Sequence, residues 1–202
     1  IGWIYYTDNT CSYDLVSGKK PLGIVVYTYG ASGGGQILAA NKTNKGIAWS
    51  TEQTNVPGLT TSSTAQHIMN DRESCFNTKI ITSYGDQSKY PAAWAAKEYV
   101  PVNAPETKGK WCLPALGMLH NLILNLETIN NAIGKLEGKK FTYYKVPTNI
   151  DANEYMWSSS EYDNNKAWAY FIENKLGAYG IYGKSYRVEG DFYLAVRPVI
   201  EF

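Results

Sequence analysis

The stretch MWSSSEYDNNKAWAYFIEN (residues 156–174) sets three serines and an Asp-Asn-Asn turn between two tryptophans. Oxygens grouped this way can grip a cation, orient a ligand, or bond the chain to itself. The remaining chemistry in the sequence is sparse. His67 and His120 are the two histidines, each inside an expected helix, where a satisfied structural or surface role is expected rather than that of a base. No G-x-S-x-G, H-E-x-x-H or paired-histidine spacing occurs. GAYGIYGKS (177–185) ends like a phosphate-binding loop, but Ala178 stands where that loop needs glycine, and the segment reads as a strand. Asp163-Asn164-Asn165 lacks the frame of a calcium loop and reads as a short polar turn. Cys11, Cys75 and Cys112 are odd in number and have no CxxC spacing. Buried or unpaired thiols are the first expectation and one disulfide the second, so cysteine does not fix the compartment. No catalytic residue, metal or cofactor is expected.

A binding surface fits the residues better. Tyr gives contact area at low entropy cost, and Ser and Asn give adjustable hydrogen bonds. Residues 155–193 carry Tyr155, Tyr162, Tyr170, Tyr179, Tyr182, Tyr186 and Tyr193, with Ser158, Ser159, Ser160, Asn164, Asn165, Asn174, Ser185 and Asp191 among them. The plainer reading is that these tyrosines pack in strands with only their hydroxyls wet. Net charge is +1, which excludes an electrostatic footprint for nucleic acid or an acidic membrane. No apolar run approaches a membrane span. The chain opens on Ile1 rather than Met, which leads us to expect a trimmed signal peptide or an upstream domain.

The 202 residues, 44% apolar, can bury one good core or two small ones, and 17 Tyr, 6 Trp and 18 Gly favour a β-rich, turn-rich domain. Residues 21–30 read as a buried strand, 30–35 as a loop, and GQILAAN and GIAWST as further strands. Ser63 and Gln66 suit a capping box, with Ile68, Met69 and Phe76 facing inward. Pro91 suits the start of a short helix anchored by Trp94. Leu116, Leu119, Ile123, Leu126, Ile129, Ile133 and Leu136 recur at helical spacing, with a break expected near Asn130 and Asn131. From Phe141 the pattern returns to strand. KAWAYFIEN is apolar on both faces and so central, LGAYGIYGK follows as its hairpin partner, and Pro198 interrupts the closing strand. Segregated helices and antiparallel strands give an α+β domain.

Four pieces carry a family likeness: SGKKPLGIVVY (17–27), GKWCLPALGML (109–119), MWSSSEYDNNKAWAYF (156–171) and VRPVIEF (196–202). In order and spacing they resemble the C-type lectin-like domains of bacterial surface and fimbrial-tip proteins, and the variable proteins of diversity-generating retroelements. There are two departures. The helix start at Pro114-Ala115-Leu116 lacks the usual Ser cap and Glu, and the path from Lys184 to Val196 is long.

The resemblance implies a fold whose last strands and loops present a ligand surface. In the retroelement class, mutagenesis directed at adenines of AAY codons varies that surface. Lys166, Trp168, Glu173, Lys175, Lys184 and Glu189 would then be framework. Tyr162, Asp163, Asn164, Asn165, Tyr179, Tyr182, Tyr186, Arg187, Asp191 and Tyr193 would be ligand-binding positions. Calcium is not expected, because the E-P-N, Q-P-D and W-N-D triplets of calcium-dependent lectins are absent, and Trp157-Ser158-Ser159 offers hydroxyls in their place. Formylglycine-generating enzymes share the broad fold, but the cysteines offer no recognisable counterpart of their reactive pair.

The resulting expectation is one α+β, C-type lectin-like domain over residues 1–202, with short antiparallel strands, two or three helices and long loops. Residues 1–20 form its N-terminal arm and 155–202 its ligand-presenting part. Its function would be non-enzymatic binding of a protein or glycan receptor on another cell, from a cell or phage surface, with no nucleic acid and no membrane insertion. A fixed-specificity adhesin or pilus-tip domain is the alternative, and a formylglycine-generating oxidase the second. Trp157 and Trp168 would pin the segment into the core, Ser158 to Ser160 would tie down irregular backbone, and residues 162–165 could then vary.

Overall fold

The computed structural model describes residues 1–43, 46–136, 154–173, 176–185, 188–189 and 192–202. Among these residues the strands form two sheets. The first contains β1 (Ile4–Tyr6), β2 (Cys11–Ser12), β3 (Pro21–Thr28), β4 (Gly35–Leu38) and β10 (Val199–Glu201), in the antiparallel order β10-β4-β3-β1-β2. The second contains β5 (Glu154–Glu161), β6 (Lys166–Glu173), β7 (Leu176–Gly183), β8 (Val188–Glu189) and β9 (Phe192–Ala195), in the order β7-β6-β5-β9-β8 with β5 and β9 parallel. The helices α1 (Ala65–Ile68), α2 (Ser74–Tyr84), α3 (Pro91–Lys97), α4 (Leu116–Leu124) and α5 (Leu126–Lys135) lie between the two groups of strands in the chain. The architecture is α+β, as the segregation of helical and strand patterns predicts, but with five α-helices among the described residues rather than two or three. Residues 141–153, expected to begin the return to strand, lie outside the described residues.

The leucine-rich periodicity finds its partner between the sheets. Leu116, Leu119 and Ile123 of α4 and Ile129 and Ile133 of α5 share a buried cluster with Ile4, Ile24 and Val26 of the first sheet and Met156, Trp168 and Tyr170 of the second. On the other face of the second sheet, Trp157, Ala167, Ala169 and Leu194 pack with Trp49, Tyr90 and the alanines of α3. β6 is therefore central and covered on both sides, which is why both of its faces are apolar. Pro198 stands where the chain leaves β9 in one sheet for β10 in the other; lacking an N–H, it gives up nothing there, and its carbonyl accepts from Ala39 N–H at 2.9 Å.

Several local expectations are corrected. Residues 46–51 are irregular rather than a strand. The helix break falls at Asn125, whose side chain turns back to the Asn121 carbonyl at 2.9 Å and ends α4 there, not at Asn130 and Asn131. The capping box is unused: α1 starts at Ala65, and Ser62 rather than Ser63 accepts a backbone bond, from Thr64 N–H at 3.2 Å. Phe76 is 59% exposed, and Trp94 is half-buried while Ala92, Ala93 and Ala96 form the packed face of α3.

For the cysteines the first expectation, unpaired thiols, is corrected and the second, one disulfide, holds. Cys75 and Cys112 form a disulfide joining the first turn of α2 to a strap that bonds Val199 in both directions, and Cys11 is free and exposed. Spacing gave no hint of it, because the pairing depends on where α2 crosses the strap. The bridge closes a separation of 37 residues, for which chain entropy gives about 3–4 kcal/mol. We expect the Cys75→Ser/Cys112→Ser double variant to fold and to lose about that much in urea unfolding. A loss too small to resolve would show that hydrogen bonds alone hold the strap.

Candidate ligand-binding surface

The sequence most in need of explanation, residues 157–161, is an arch in β5. Trp157 pairs with Ala169 and Glu161 with Ala167, so β5 has two more residues than β6 over this interval. The serines fill the arch and are fully buried. Ser158 Oγ donates to the Trp168 carbonyl at 2.7 Å, and Ser159 N–H donates to the Pro114 carbonyl at 2.8 Å. Ser160 Oγ accepts from Leu116 N–H at 3.0 Å and donates to Asp71 Oδ2 at 3.0 Å. Ser74 Oγ does the same for Ala115 N–H, at 3.0 Å, while donating to Gln36 Oε1 at 2.9 Å. The helix start that lacks its own Ser cap thus receives two hydroxyls from elsewhere in the chain.

Beside the arch, irregular residues 46–62 are sewn to the second sheet by buried side chains. Trp157 Nε1 donates to the Ile47 carbonyl at 2.6 Å, Trp49 Nε1 to the Ser158 carbonyl at 2.8 Å, and Trp168 Nε1 to the Ser62 carbonyl at 2.9 Å. Glu161 and Lys184, both buried, form an ion pair. The carboxylate also accepts from Val56 N–H, at 3.3 Å to each oxygen, and from Thr61 Oγ1 at 2.9 Å. The ammonium donates to the Thr54 carbonyl at 2.7 Å and lies over the Trp49 ring at 4.9 Å. Burial holds the Lys184 pKa below the usual lysine range, and the hydrogen bond it donates to Glu161 only partly offsets this. Lys184 is framework in the strictest sense, and the lysine of the apparent phosphate loop serves the core.

On this frame the turn 162–165 is closed by its own backbone. Tyr162 and Asp163 N–H donate to the Lys166 carbonyl at 3.1 Å each, and Asp163 Oδ1 accepts from Asn165 and Lys166 N–H at 2.8 Å each. Asp163 is thereby occupied in shaping the turn, while the side chains of Asn164 and Asn165 are exposed. Tyr162 rests edge-on against Trp168, centroids 5.3 Å apart, and Tyr179 meets the same indole at 5.8 Å. Tyr179 is 44% exposed, and Ile181, opposite Trp168 in the register, is 37% exposed. Tyr162 and Tyr179 therefore flank one buried tryptophan, and Asn164 and Asn165 stand exposed on the turn that follows Tyr162. Ile181 joins them; sequence reading missed it, although its place two residues from Tyr179 in a strand was the available signal.

Tyr182 does not join this group. It lies on the opposite face of β7, half-buried against Trp157 and Tyr155 at 6.3 and 5.7 Å. Tyr170 is buried and meets His120 Nδ1 at 2.9 Å; burial raises its phenol to about 12 and lowers the imidazole, so both stay neutral near pH 7. Tyr193 is placed in β9 by its backbone, and Tyr186, Arg187 and Asp191 lie outside the described residues. No cluster of three His, Cys, Asp or Glu side chains able to hold a metal occurs among the described residues.

No family model matches the chain, and no curated protein matches it in sequence. Among solved structures, a fimbrial protein from Bacteroides ovatus ATCC 8483 shares its fold, with TM-score 0.67 and 16% identity, over 100% of this chain and 48% of that one. The chain thus spans about half the length of that neighbour.

The buried pair gives a direct test of the frame. Lys184→Met leaves a buried carboxylate without its cation and is expected to cost about 3–5 kcal/mol in urea unfolding. Adding Glu161→Gln, which keeps an acceptor for Val56 and Thr61, should return part of that loss. A single variant as stable as the parent would remove the pair from its structural role.

Proposed function

We propose that the chain is a non-enzymatic, C-type lectin-like binding domain displayed on a cell or phage surface, with a protein or glycan receptor on another cell as its partner. The observation that carries this is the division between residues that hold the frame and residues that do not. The three serines, three indoles and the Glu161–Lys184 pair are all spent inside, while Asn164 and Asn165 face solvent on a turn pinned by Asp163 and Lys166, and Tyr179 faces solvent on a strand paired along its inner side. Such a surface can change its side chains without loss of fold, as the variable protein of a diversity-generating retroelement requires. Residues 1–202 act as one domain in this reading, with 155–202 presenting the ligand surface. The Cys75–Cys112 disulfide, which forms and persists in oxidising surroundings, favours an extracellular place.

The fimbrial fold neighbour favours a second reading, an adhesin or pilus-tip domain of fixed specificity. The gene separates the two: a reverse transcriptase nearby, with a template repeat whose mismatches fall at adenines, belongs to the first alone. For either reading, we expect Tyr162→Ala, Asn164→Ala and Asn165→Ala together to weaken binding to a responsive bacterial strain by tenfold or more (about 1.4 kcal/mol) in flow cytometry. Unfolding stability should fall only by the worth of the lost Tyr162–Trp168 contact, about 1 kcal/mol, and Asn164→Ala/Asn165→Ala alone should leave it in place. Undiminished binding would place the surface elsewhere.

A further inference from the structure

We propose that the outer edge of β7 is a strand-addition site, and that the partner is a polypeptide docking one extended, uncharged segment along it. This rests on the binding reading above and narrows its ligand to a protein backbone.

β7 pairs with β6 along all eight of its residues, and among the described residues no strand pairs with its other side. Along that side alternate N–H and C=O groups point outward, a template for another chain. The other sheet edges are managed. β2 is two residues long, β8 is two residues long and includes a glutamate, and β10 is bridged at Val199 by Cys112. β7, by contrast, reads Leu-Gly-Ala-Tyr-Gly-Ile-Tyr-Gly, with no charge and no proline to deter pairing.

The side chains fit the same occupant. Tyr179 and Ile181 stand on one face of the sheet and Tyr182 on the other, so a ligand lying on either face would meet only part of the set. An added strand alternates its own side chains between the two faces and meets all three. Space beside Gly183 is open, since a Cβ built there meets nothing within 4 Å. With only aromatic and aliphatic neighbours on offer, the incoming segment should be β-branched or aromatic; a lysine or glutamate in it would find no counter-ion on β7.

Hydrogen exchange resolved by residue tests this, with the capped peptide Ac-TVTVTVT-NH2 as probe. In the parent chain the peptide should slow alternate β7 amides by about tenfold or more, and in Tyr179→Lys/Ile181→Lys, whose changes sit at exposed positions, that protection should vanish. Unprotected β7 amides in the parent, or protection surviving the double lysine variant, would overturn the proposal. A concentration-dependent dimer that protects the same amides without peptide would assign the edge to a second copy and also overturn it. The two readings fail separately. If the double variant loses cell binding while peptide leaves β7 unprotected, the surface stands and strand addition falls. If peptide protects β7 while the triple alanine variant binds cells normally, strand addition stands and the 162–165 surface falls.

Discussion

A carboxylate and an ammonium removed from water must find each other and enough further partners to replace their hydration. Glu161 and Lys184 do so at the point where the chain most needs fixing, between the end of β5 and the end of β7. Because the pair also takes Val56 N–H, Thr61 Oγ1 and the Thr54 carbonyl, it ties an irregular loop to two strands where isolated backbone bonds, Ser62 N–H to the Glu161 carbonyl and Ser50 N–H to the Lys184 carbonyl, join them. Lys184 N–H in turn bonds the Asn165 carbonyl at 2.8 Å, so the turn that carries the exposed residues hangs from the same anchor.

The same logic extends to the serine arch. An arch with extra residues breaks the strand ladder and leaves buried backbone groups that need partners. Serine supplies them compactly, each Oγ able to accept and donate at once. The matching polar side chains lie on α2, where Ser74, Asn77, Thr78 and Ile81 form the buried face. Asn77 reaches both Asp71 Oδ2, at 2.8 Å, and Ser159 Oγ, at 3.3 Å. Thr78 Oγ1 accepts from Leu113 N–H at 2.9 Å. This is a helix whose inward stripe is polar because it faces backbone groups of the strap and the polar side chains Gln36, Asp71 and Ser159.

That polarity explains what sequence could and could not yield. β3 and β6 were legible because strands covered on both faces leave short, near-continuous apolar runs, β7 because it follows β6 across a turn, and α4 and α5 because packing between sheets leaves a stripe of leucines. The roles of Trp157, Trp168 and the serines followed from the misfit of polar residues in an aromatic strand. The α2 face carries the helical period in Ser, Asn and Thr, where an apolar search finds nothing. Residues 46–51 looked like a strand because Ile47, Ala48 and Trp49 run apolar, yet Trp49 is buried against Tyr90 and the second sheet from an irregular segment. The Cys75–Cys112 bridge and the Glu161–Lys184 pair join positions 37 and 23 residues apart, and neither spacing belongs to any local period.

The tyrosines show the limit most clearly. In sequence they form one set; in the sheet Tyr179 and Tyr182 diverge, because residues an odd number apart on a strand point to opposite faces. A ligand lying flat on the sheet would therefore use one and waste the other. The divergence loses its force at an edge, where both faces of a strand border the same strip of solvent and a chain laid along it touches each in turn. Open backbone, absent charge and aromatics on both sides occur together only at β7 among the described strands. For that reason the edge, rather than either face alone, makes the best use of what the sequence placed there.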